Sequence, residues 1–119
     1  MSKAALDLFG KLLMEHVRDQ TIQQLKMIED GRMKGEESVN IHARLSQMSP
    51  SDREFAMTLV SESVDRTIHN LLWLLEQEED LRVSIELGDQ TVSDLREISD
   101  GLCGELYSDE GWIARFSHE

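Results

Sequence analysis

The chain has 119 residues, 39% of them hydrophobic and 30% charged, with a net charge of −12 and one cysteine. That length buries a core without staples, the composition is that of a folded globular chain, and no internal disulfide is available. Residues 76–119 hold 13 acids against Arg82, Arg96 and Arg115, while residues 1–75 hold 11 acids and 9 Lys/Arg; nucleic acid and anionic membrane surfaces, which need a basic face, are therefore not expected ligands.

The predicted elements follow in chain order. Residues 3–30 read as one long helix, because Leu6, Phe9, Leu13, Val17, Thr21, Leu25 and Ile28 step by three or four. Lys11, Arg18 and Lys26 lie off that stripe, toward solvent. Gly31 sits where a left-handed C-cap belongs. A second helix spans 36–48. Ser49 as N-cap and Pro50 at the first helical position open a third, 50–77, whose apolar end "LLWLL" is expected to be central. In "LRVSIEL", residues 81–87, apolar and polar side chains alternate as in a half-buried strand ended by Gly88-Asp89. Thr91 and Asp94 suggest a capping box for a fourth helix, 91–107, and "WIARF", 112–116, reads as a second strand. The expected fold is thus α+β and mostly helical, three N-terminal helices followed by strand–helix–strand in one domain.

No apolar run approaches the length of a membrane span, and the first residues lack the apolar core of a secretory signal, so a cytoplasmic protein is expected. The chain holds no phosphate-binding loop, no HExxH and no CxxC. Cys103 stands among acids, which make it a poor thiolate. His16, His42, His69 and His118 are scattered, with no pair spaced three or four apart. Glu62 and Arg66, four apart, are expected to pair on the helix surface. No cofactor is expected.

What remains is a charge map. In the fourth predicted helix Gly101 and Gly104 fall on the side carrying Asp94, Glu97 and Asp100, which offers bare backbone between carboxylates. Trp112 and Phe116 are expected to close the core, with Tyr107, beside Asp109 and Glu110, left outside. Asp94, Glu97, Asp100, Gly101, Gly104, Glu105, Tyr107, Asp109 and Glu110 form the expected surface for a basic protein partner, attracted by a field that speeds association with cationic surfaces. A homodimer joined through strand edges or the Leu71–Leu75 end is the other expected assembly.

Two resemblances bear on function. Glu36-Glu37 with Asn40, followed later by Glu62 and Asp65, resemble the EExxE and ExxD pair of the all-α nucleoside-triphosphate pyrophosphatases, with Asn40 where a third carboxylate stands in that family. The resemblance implies magnesium held by Glu37, Glu62 and Asp65, in a fold without strands. In size, acidity and lack of catalytic motifs the chain is similar to the immunity proteins of bacterial toxin systems. That likeness implies neutralisation of a basic toxin by a carboxylate-rich surface.

Overall fold

A computed structural model describes residues 2–119. The fold is mostly helical with one small antiparallel sheet: α1 (Ser2–Leu13), a π-helical turn (Met14–Arg18), α2 (Asp19–Glu29), α3 (Glu36–Ser46), α4 (Pro50–Gln77), β1 (Ile85–Leu87), β2 (Gln90–Val92), two 3-10 turns (Leu95–Ile98 and Cys103–Leu106) and α5 (Trp112–Phe116). The molecule measures 52 × 27 × 26 Å. No residue from 23 to 67 is buried, so the core lies at one end and α3 with its neighbours forms an arm.

The first helix runs nearly as expected, but its buried face does not. The Asp19 N–H donates to the Met14 carbonyl across the π turn. That turn holds one residue more than an α turn, which rotates every later side chain about the axis. The inward line becomes Leu6, Gly10, Met14, Arg18 and Ile22, and Val17 turns out to 43% exposure. Arg18, expected in solvent, is buried beside Asp19.

The helix ends as its sequence requires. Gly31 has φ 77°, its N–H donates to the Ile28 carbonyl, and the Arg32 N–H donates to that of Met27. These two bonds form a Schellman cap, which needs a residue tolerant of the left-handed region. His42 then ties α3 back through Nδ1–H to the Glu29 carbonyl, 2.9 Å. At the start of α4, Ser49 Oγ accepts from the Asp52 N–H, 3.1 Å, and Pro50 occupies the first turn, where it needs no N–H partner.

The C-terminal third departs from the expected strand–helix–strand. Only Ile85–Leu87 of the 81–87 run is strand, and it pairs antiparallel with Gln90–Val92, Ile85 opposite Val92. Gly88, φ 61°, takes the first position of the two-residue turn. Residues 91–107 form no continuous helix. Thr91 is in β2, and Asp94 caps a 3-10 turn by accepting from the Arg96 N–H, 3.1 Å. Gly101 lies between the two 3-10 turns and Gly104 within the second, and glycine weakens an α-helix by about 1 kcal/mol at each position. "WIARF" is a helix, not a strand: Trp112 and Phe116, four apart, share a face in either geometry, and Gly111 serves as the N-cap.

The core joins the two ends of the chain. Leu6, Leu13 and Met14 meet Ile68 and Leu72 of α4 and Leu95, Leu102, Leu106 and Trp112 of the C-terminal third. The apolar end Leu71–Leu75 is not central as expected: Leu72 is buried and Leu75 partly so, but Leu71, Trp73 and Leu74 stand exposed, because the core covers one side of α4 only. Trp112 is 1% exposed, and Phe9 meets it edge-on with ring centroids 5.8 Å apart.

Candidate functional site

The C-terminal turns lie over the start of α1, and between them opens a surface cleft of about 730 Å³. Asp100, Gly104, Glu105, Tyr107 and Glu110 of the expected surface line it. Lys3, Asp7 and Arg115 join them from elements that the sequence did not connect to it. Arg115 and Asp7 pair at 2.9 Å, and the Arg115 guanidinium also stacks 4.5 Å above the Phe116 ring. With that pair neutralised, Asp100, Glu105 and Glu110 face only Lys3.

Two of these groups are held in place. Ser99 Oγ donates to Glu105 Oε2, 2.6 Å, which fixes the carboxylate at the rim. Tyr107 is 45% exposed, and its hydroxyl bonds His69 Nδ1 at 2.9 Å. Partial burial raises the phenol's pKa, so the hydroxyl keeps its proton and stays a donor.

The remaining expected residues sit elsewhere. Gly101 lines an adjoining hollow with Glu76, Asp100 and Cys103. No atom of another element stands against Gly104, whose missing side chain leaves open space at the cleft. Glu97 and Asp109 are exposed but do not line the cleft. Asp94 is occupied: Arg96 donates to both of its carboxylate oxygens at 2.9–3.2 Å and also caps the Glu78 carbonyl.

Of the 13 acids in residues 76–119, only Asp94 and Glu119 form ion pairs among the described residues, with Arg96 and Lys26. Hydrogen bonds from Arg96 hold the Asp94 carboxyl below its usual range, and those from Lys26 and then Gln23 do the same for Glu119. A folded pKa below the unfolded one adds stability where the unfolded carboxyl is ionised, above about pH 4, and loses it as the pH falls through the folded value. Thermal midpoints between about pH 6 and about pH 3 should therefore decline on acidification, and Arg96→Ala should remove part of that decline. The contribution is small because both pairs are solvent-screened. An identical profile for the variant would contradict this assignment.

The alternative metal set is not assembled. Asp65 is taken by Arg18, whose Nε donates to Oδ1 at 2.6 Å, while Glu37 lies on exposed α3. Among the described residues no group of three His, Cys, Asp or Glu side chains stands where it could hold a metal ion. Cys103 is half-buried, and its Sγ donates to the His69 carbonyl. Burial first and Glu76 second raise its pKa, so the thiolate is scarce at neutral pH.

The polar cluster that sequence reasoning missed surrounds Arg18. Its guanidinium grips Asp65 and donates to Ser117 Oγ, 2.7 Å, and to the Glu119 carbonyl, 3.2 Å. Ser117 Oγ donates in turn to Asp19 Oδ1, 2.6 Å, and the His118 N–H to Asp19 Oδ2, 2.8 Å. Residues 117–119 are thereby fastened to the π turn. The signal available in the sequence was the four-residue spacing of Gly10, Met14, Arg18 and Ile22.

No protein-family model matches the chain, nor does any curated protein or solved structure. Among the described residues no helix is long and apolar enough to cross a membrane.

Proposed function

We propose that this is a non-catalytic binding protein whose acidic C-terminal cleft receives a basic protein partner. The observation that carries the reading is the lining of the cleft by Asp100, Glu105 and Glu110, for which the described residues provide no ion-pair partner. Carboxylates around a half-exposed tyrosine, Glu105 among them fixed by Ser99, suit a cationic surface, with Tyr107 as the apolar anchor, since tyrosine is over-represented among residues that dominate binding energy. The uncompensated field would steer such a partner toward the cleft and repel acidic proteins. The sharpest form of the reading is neutralisation of a basic toxin, in keeping with the likeness to immunity proteins in size and charge.

The test is affinity capture from the native cell's lysate, with washes at low and high salt. The wild-type protein should retain one stoichiometric basic protein that salt releases, because screening weakens exposed charge contacts. Asp100→Lys with Glu110→Lys should lose it, whereas Glu36→Lys with Glu37→Lys, on the distant arm, should keep it. A partner held equally by both variants, or none held at all, would overturn the proposal.

A further inference from the structure

The outward face of α4 carries a pattern of which only His69, bonded to the Tyr107 hydroxyl, is engaged in a hydrogen bond or ion pair within the described chain. Phe55, Leu59 and Trp73 stand 62%, 51% and 53% exposed along it, with Glu62 and Arg66, both exposed, between them. Phe55 and Trp73 are eighteen residues apart, five full turns, so they project from the same side about 27 Å from each other. The expected Glu62–Arg66 pair does not form. The described residues make six ion pairs between Arg or Lys and a carboxylate, besides a His118–Glu15 contact, and neither side chain takes part in one.

The order of these residues is symmetric about Val64. Phe55 and Trp73 lie nine residues to either side of it, Leu59 and His69 five, and Glu62 and Arg66 two. The last two carry opposite charge, so reversing the helix exchanges acid for base and aromatic for aromatic. Such a face is complementary to itself, as an isologous two-fold contact requires.

We propose that the outward face of α4 is a homodimer interface, in which two copies lie antiparallel about a two-fold axis that passes between Glu62 and Arg66, level with Val64, whose own side chain faces the core. Phe55 packs against Trp73 of the second copy and Leu59 against its His69. Glu62 pairs with its Arg66, each contact occurring twice. A stripe about 27 Å long on one helix falls short of the roughly 800 Å² per partner of a standard interface. Two chains each of charge −12 also repel at long range. The dimer is therefore reversible, with a Kd on the order of micromolar. The inference does not rest on the acidic cleft: the two surfaces meet only at His69, which bonds the cleft's Tyr107, and the variants below leave His69 in place.

Sedimentation velocity from about 1 µM to about 1 mM tests it. Wild type should pass from monomer to dimer. Glu62→Arg and Arg66→Glu each set like charges against each other twice and should weaken association at least about tenfold. The double exchange should restore the dimer, and so should an equimolar mixture of the two single variants. Trp73→Ala should weaken it without touching the charges. All these positions are exposed, and circular dichroism checks that each variant is folded. A wild type that stays monomeric throughout would overturn the proposal, as would single reversals without effect, or an exchange and a mixture no better than the single variants.

Discussion

Trp112→Ala is expected to cost about 3–5 kcal/mol of stability, because it empties the centre of the core. The indole joins α5 to α1 and the C-terminal turns; Gly10 leaves room for it on α1, and Gly111 lets the start of α5 pass close to the Tyr107 backbone. A methyl group at Gly10 would come within 2.4 Å of the indole ring, and one at Gly111 within 2.0 Å of the Tyr107 carbonyl oxygen. Gly10→Ala should therefore destabilise by about 1–3 kcal/mol from overpacking, although alanine favours helix by about 1 kcal/mol. Gly111→Ala meets backbone, which yields less readily than a side chain, and should cost more than Gly10→Ala. Urea denaturation of the three variants measures this directly. Midpoints equal to that of the wild type would refute the packing described for α5.

Arg18→Met is expected to cost about 3 kcal/mol or more. The substitution removes the one cation that, among the described residues, pairs with Asp65 and Asp19, and a buried charge left without its partner is more damaging than the loss of the whole pair. Asp19 is 2% exposed, so water replaces little of what Arg18 supplies. Combining Arg18→Met with Asp65→Asn should destabilise by less than the sum of the separate changes, with a coupling of about 0.5–3 kcal/mol. The tail depends on the same group, so Arg18→Met should also speed amide exchange at His118, whose N–H is fastened to Asp19. Additive effects and unchanged exchange would mean that the network is incidental.

The legible parts of the fold were those governed by local chemistry. Ser49-Pro50 and Gly31 mark helix ends through their own conformational limits, and the apolar period of α4 marks a helix, although only Ile68 and Leu72 along its 28 residues are buried. The π turn was not legible, since one inserted residue leaves composition and spacing almost unchanged while carrying Val17 out and Arg18 in. Nor was α5, because a four-residue interval between Trp112 and Phe116 satisfies a strand and a helix alike. Residues 91–107 carry apolar side chains at helical intervals, but the capping of Arg96 by Asp94 and the two glycines break the run into 3-10 turns.

The candidate site divides along the same line. The acidic excess of residues 76–119 is a property of the sequence and needs no fold to be seen. Which acids share a surface depends on long-range contacts: Asp7 and Lys3 reach the cleft from the other end of the chain, and Asp94 leaves the set because Arg96 holds it. Tyr107, predicted outside, lies at the cleft's edge on a hydrogen bond to His69.

Association kinetics with the captured basic protein test the central claim most directly. Asp100→Lys with Glu110→Lys should slow the association rate at least about tenfold at low ionic strength, and the difference from the wild type should shrink as salt screens the field. Association as fast as that of the wild type at every ionic strength would contradict the role assigned to the acidic cleft.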